Sequence, residues 1–263
     1  MRYSLAALLL VVLVLAGCGG DDASSTTESE PPAATSTSSA TTTSTAAPTT
    51  TAATTTTTEA TTTTWAGVEG EPYDFWVPVP EEGPILGVVG VQFDDVLNVR
   101  SGPNVSFDVV TTLDPTQTGI SGTGEGWQLP SGAVWWQIDA GGVEGWINQQ
   151  FMSRLSDVDD ITSFVVAQMG QIPTAETMLE LGLQVAEVFA DVDVGSEVVV
   201  SVAPTVGDLG EVTYDVTGLG DDSEGGIRLH VFGQPTDSGE AFSLMAVEAT
   251  RMCQRGVSEG RCV

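Results

Sequence analysis

The chain has 263 residues, with 36 Asp or Glu against 7 Lys or Arg, and a formal net charge of −29. Every basic residue is an arginine. So acidic a surface repels nucleic acid and anionic lipid headgroups, which takes both out of the expected partners. Its plain role is to keep the protein soluble; composition does not locate a cation site.

In chain order, Arg2 supplies a positive start and Leu5–Leu15 is an apolar run that ends in Leu15-Ala16-Gly17-Cys18. A charged start, a short apolar stretch and a small-residue exit describe a cleavable export signal. The run is too short for a membrane span, which needs about 20 apolar residues. Leu-Ala-Gly-Cys resembles the lipobox of bacterial lipoproteins. That resemblance implies removal of residues 1–17 and a diacylglyceryl group on the Cys18 thiol, which holds the protein on the extracytoplasmic face of the cell membrane. The bland alternative is an ordinary secretion signal with an incidental cysteine.

Residues 18–64 are dominated by Thr, Ser, Ala and Pro, with Pro31, Pro32 and Pro48 interrupting them. They lack the apolar side chains needed to offset the entropy of ordering, so a disordered tether is expected. Its composition suits either a stalk carrying O-linked sugars or a bare spacer. At about 3.3 Å per residue it would reach on the order of 150 Å. Aromatic and β-branched residues return at Trp65, and residues 65–86 form a lead-in segment.

The stretch from residue 87 to 155 predicts short strands at Val88–Phe93, Val96–Arg100, Val109–Leu113, Thr118–Thr123, Val134–Ile138 and Gly145–Ile147. Ser101-Gly102-Pro103-Asn104 and Gly141-Gly142 supply turns. Such spacing predicts a small barrel or sandwich. By alternation Leu97 and Val99 face the interior and Asn98 and Arg100 the outside, while Trp136 and Ile138 share one face and Trp135 and Gln137 the other. Gly102 can take a positive φ and Pro103 fixes its own, so together they end the strand sharply, and Gly145 lets the backbone approach closely before Trp146.

Three motifs here resemble the bacterial SH3-like (SH3b) domain: Leu97-Asn98-Val99-Arg100-Ser101-Gly102-Pro103, Trp135-Trp136-Gln137-Ile138, and Gly145-Trp146-Ile147-Asn148 with Phe151-Met152-Ser153. The resemblance covers about a quarter of the chain. It implies an SH3-like β-barrel that binds peptidoglycan peptides or other wall components, with Asn98, Arg100, Trp135 and Asn148 in the groove. Two features depart from the pattern: a long Gly124–Gly132 loop, which adds Trp127 as a candidate, and Asp94-Asp95 beside the groove. Each of these side chains has a structural alternative: Arg100 could pair with an acidic neighbour, and Trp135 could pack beneath the long loop.

From residue 156 to 263 the pattern predicts a small α+β domain, giving a mostly β chain. Ser156-Asp157-Val158-Asp159 fits a capping box ahead of a helix over Ile161–Met169. A second helix starts near Thr174, with Met178, Leu181, Val185 and Val188 at helical spacing. Strands follow at Glu197–Val202, Glu211–Val216, Gly226–Phe232 and Ala241–Ala249. Cys253 and Cys262 are expected to form a disulfide, as close pairs in exported proteins do; a free thiol or a metal pair is the alternative.

The sequence predicts no catalysis and no cofactor. The chain has one histidine, His230, in a predicted strand, and no His-Glu-x-x-His cluster for zinc. Asp191-Val192-Asp193-Val194-Gly195 is a turn that lacks the later ligands of an EF-hand. Two readings remain. One is a non-catalytic, lipid-anchored protein whose SH3b module grips peptidoglycan. The other is a module whose C-terminal domain recruits an envelope protein, with the barrel as scaffold.

Overall fold

Among the described residues the chain is mostly antiparallel strand, with two short helices. The computed structural model describes residues 63–65, 67–73, 85–191 and 193–263. The chain divides into two units, Met1–Thr57 and Thr58–Val263, and the described residues all belong to the second. The export signal, Cys18 and the tether up to residue 62 lie outside the described residues.

The strands are β1 Thr63–Trp65, β2 Val68–Pro72, β3 Leu86–Val88, β4 Leu97–Arg100, β5 Val109–Leu113, β6 Thr118–Gln128, β7 Val134–Asp139, β8 Glu144–Asn148 and β9 Met152–Asp160. After them come α1 Thr162–Met169, β10 Thr174–Ala175, α2 Met178–Ala186, β11 Glu197–Val206, β12 Gly210–Thr217, β13 Glu224–Pro235, β14 Phe242–Cys253, β15 Val257–Ser258 and β16 Arg261–Cys262. Fourteen strands form one sheet whose main path runs β11-β12-β13-β14-β9-β3-β6-β7-β8-β4-β5, and the sheet does not close on itself.

The change of character near residue 155 falls inside β9. The first half of β9 pairs with β3 on one side (Leu86↔Arg154) and with β14 on the other (Cys253↔Arg154). This single strand therefore carries the hydrogen-bond ladder from the β3–β8 region into the C-terminal strands. Ser156-Asp157-Val158-Asp159 is part of β9 and caps no helix: Val158 and Asp159 pair with β14, and the Asp157 N–H donates to the Gly260 carbonyl. Helix α1 starts later, where the Asp160 carboxylate accepts from the Thr162 N–H at 2.9 Å. Hydrogen bonds from the Thr162 side chain and backbone lower the Asp160 pKa. A true capping box stands at α2: the Thr177 hydroxyl accepts from the Glu180 N–H, and Glu180 accepts from the Thr177 N–H.

Helix α2 buries Met178, Leu181 and Val185 against Val212, Tyr214, Ile227, Leu229 and Val231 of β12 and β13. Those three β13 residues alternate with Arg228 and His230, which therefore face away from the helix. A second core gathers Leu86, Val88, Leu97, Val99, Leu113, Ile120, Trp136, Ile138 and Ile147. Gly102 does not use a positive φ; its lack of a side chain admits the Phe107 ring, which a Cβ would meet at 2.7 Å. Gly145 lies so close to the neighbouring strand that a Cβ would stand 2.5 Å from Val99 Cγ1. Gly141 and Gly142 take positive φ in the β7–β8 hairpin.

Cys253 and Cys262 form a disulfide, with their Cα atoms 5.0 Å apart. It ties β14 to the β15–β16 hairpin. Closing so short a loop removes about 2–3 kcal/mol of chain entropy from the unfolded state. A Cys253→Ser, Cys262→Ser double variant is expected to lose that amount in urea unfolding, while reductant leaves the variant's midpoint unchanged.

Candidate functional site

A cleft of about 400 Å³ opens on the outer face of β4, β7 and β8. Asn98 and Arg100 come from β4, Trp135 from β7 and Asn148 from β8, and all four line it. Strand register explains the convergence. Trp135 pairs with Asn148, and Arg100 pairs with Trp146, so their side chains emerge on one face of adjacent strands. Gly90, Val91, Gln92, Asp95 and Val96 supply the opposite wall, and Val199 of β11 completes it.

The cleft's polar groups are held in place. The Arg100 guanidinium donates to the Phe107 carbonyl at 2.8 Å. The Asn148 side chain accepts from the Gln150 N–H at 3.1 Å, capping a short 3-10 turn over Gln149–Phe151. One Asp95 carboxylate oxygen accepts from the Val96 N–H at 2.8 Å.

The strip 89–96 was predicted as strand to Phe93, but β3 ends at Val88 and a loop follows. What fixes the loop is a charge pair in the C-terminal strands. Asp215 and Arg228 are register partners on β12 and β13, joined at 2.7 and 2.8 Å. Asp215 also accepts from the Gly90 N–H at 2.9 Å and the Ser201 hydroxyl at 3.2 Å, while Arg228 donates to the Val88 carbonyl at 2.7 Å. Further along, the Phe93 N–H donates to the Val200 carbonyl at 2.9 Å. The wall of the cleft is thus fastened to β11, β12 and β13 at Val88, Gly90 and Phe93. Neither Asp215 nor Arg228 stands out in sequence, since each becomes informative only once the register is known.

Trp135 departs from the expectation of an open aromatic surface: it is 3% exposed. It packs with Trp127 and Trp146. Trp127 lies directly across from Trp135 on β6, because β6 runs on to Gln128 and only residues 129–132 form the turn. The β1–β2 hairpin covers this cluster: Trp65 meets Trp146 edge to face, with ring centroids 5.6 Å apart, and a Cβ at Gly70 would collide with the Trp127 indole. Trp127 is therefore packed beneath the lead-in segment and does not line the cleft.

A larger cavity of about 460 Å³ lies elsewhere, lined by Trp136, Met252, Cys253, Gln254 and several glycines. No charged group other than Glu197 lines it, so the cleft at Arg100 is the better candidate. At this junction the Arg154 guanidinium lies 5.8 Å from the Trp136 ring centroid and donates to the Gln254 carbonyl, and burial lowers its pKa. His230 stands on β13 between Glu211, at 3.4 Å, and Glu248, at 3.9 Å. Among the described residues no group of His, Cys, Asp and Glu could hold a metal ion, and no helix is long and apolar enough to cross a membrane. Asp191 accepts from the Asp193 N–H within a turn. The letters Gly-x-Ser-x-Gly occur once, at Gly256–Gly260. Ser258 there belongs to the β15–β16 hairpin and not to a strand-to-helix elbow. Compared with known proteins, the chain matches no family model, no curated protein and no solved structure.

Proposed function

We propose that this is a non-catalytic lipoprotein of the cell envelope, anchored through Cys18, whose β-rich head holds a peptidoglycan component in the cleft at Arg100. Residues 87–155 are then an SH3b-like module whose sheet is opened where β9 runs on to pair with β14. The observation that carries this reading is the convergence of Asn98, Arg100, Trp135 and Asn148 on one cleft. A concave site with apolar walls and a few fixed polar groups suits a small peptide- or sugar-like ligand.

The test is sedimentation of the purified chain with cell-wall sacculi, using Cys18→Ala so that wall and not lipid decides retention. Asn98→Ala with Arg100→Ala is expected to weaken retention about tenfold, the change that about 1.4 kcal/mol produces. Both side chains are partly exposed, so the fold survives their loss; Trp135→Ala would remove a core residue and is the poorer probe. Equal retention of the double variant and its parent would overturn the proposal.

A further inference from the structure

Arg100 and Asp95 line the same cleft, yet they form no ion pair with each other or with any described residue. Arg261 on β16 likewise forms no ion pair with a described residue, but it does not line the cleft. Arg228, Arg251 and Arg255 are each paired with a carboxylate, on Asp215, Glu224 and Asp222. In a protein with a net charge of −29, an arginine without a carboxylate partner beside an open cleft leaves one local site for an anion. Its fixed contact is a neutral carbonyl at Phe107, which orients the guanidinium without neutralising it.

Asp95 is the opposite pole. The Asp95 N–H donates to the Gln92 carbonyl, and one carboxylate oxygen is held by the Val96 N–H, so the side chain is oriented toward its own turn. The turn is itself fastened by the Phe93–Val200 hydrogen bond and, at its base, by Asp215 on the Gly90 N–H. Asp95 belongs to the acidic pair that departs from the SH3b pattern, so its role is a property of this chain.

From this we infer that the cleft selects a short zwitterionic peptide, taking its carboxylate at Arg100 and its ammonium at Asp95; this rests on the proposal that the cleft is the wall-binding site. The field of the whole protein favours such a ligand over a simple anion. A net-negative group is repelled at long range by the acidic surface, whereas a ligand of zero net charge approaches freely and meets both poles on arrival. A neutral glycan would leave the desolvated Arg100 and Asp95 groups uncompensated.

The experiment uses the full chain carrying Cys18→Ala and measures calorimetric or NMR binding of alanine oligomers two to four residues long. Each is presented free, N-acetylated and C-amidated. The free form is expected to bind best, and blocking either end to weaken binding about fivefold, the effect of one partly exposed charge pair. In Arg100→Gln, amidation should no longer matter while acetylation still does; in Asp95→Asn the pattern should reverse. Free and blocked peptides binding alike, or no binding of any oligomer, would overturn the inference. Sacculus retention that persists without charge discrimination removes this inference alone. Charge discrimination without sacculus retention removes the wall reading and keeps the zwitterion site.

Discussion

Asp215→Ala is expected to destabilise the folded head by about 3–5 kcal/mol, the penalty for breaking a buried ion pair from one side. Asp215 is wholly buried and Arg228 nearly so. Removing the carboxylate strands the guanidinium, the Ser201 hydroxyl and the Gly90 N–H together. Arg228→Ala should cost a similar amount, because it leaves Asp215 charged without its partner. Replacing both by leucine should recover part of the loss, since no lone charge then remains. Recovery cannot be complete: the Gly90 N–H and Val88 carbonyl lose their partners, at about 1–3 kcal/mol for each buried orphan. Urea unfolding of the two single variants and the double variant forms the test cycle. A loss below about 1 kcal/mol in Asp215→Ala would show that the pair does not hold the two regions together.

The same pair explains why part of the fold was legible in the sequence and part was not. Strands whose pattern is local were readable: Val109–Leu113 matches β5 residue for residue, and Val134–Ile138 differs from β7 by one. Helix α2 was legible through its apolar spacing, although it starts at Met178 and not near Thr174, which lies in β10, while the capping box read at Ser156 for the first helix is not formed. The Ser156 pattern misled because a cap signal and a strand edge use the same short polar residues. Pairing with β14, nearly a hundred residues away, decided the outcome. Gly124–Gly132 misled for a related reason. Glycines that suggest a loop here bend an eleven-residue strand through an irregular register between Gly122 and Gly126.

At the site, four of the five groove candidates share one cleft, because period-two alternation and hairpin register are local matters. Trp127 does not, since nothing near it in sequence announces that the β1–β2 hairpin covers it. Val199 and the Asp215–Arg228 pair were invisible for the same reason. They bear on the cleft from strands more than forty residues beyond the last of the motifs that resemble SH3b. The C-terminal strands therefore do more than follow the module. They hold the Gly90–Val96 wall in place and contribute a side chain to it.

Cys18→Ala should move the protein from the membrane to the soluble fraction almost completely while leaving the head intact. One acyl chain gives only marginal binding, with an association constant of about 10⁴ M⁻¹, and each further buried methylene adds about 0.8 kcal/mol. A second chain of ordinary length thus makes the anchor permanent on the time of a fractionation, and removing the thiol removes both chains. Leu5–Leu15, if left uncleaved in the variant, falls short of the roughly 20 residues a span requires. The head has no stake in the change, because Cys18 lies far outside its disulfide, which joins Cys253 and Cys262. Metabolic labelling with a fatty acid and detergent phase partition are the measurements, with unfolding of the head by urea as the control. Label and detergent partition should both vanish in Cys18→Ala with the unfolding midpoint unchanged. Label retained in the variant would place the lipid elsewhere and sink the anchor, leaving the cleft proposal to stand on its own sedimentation result.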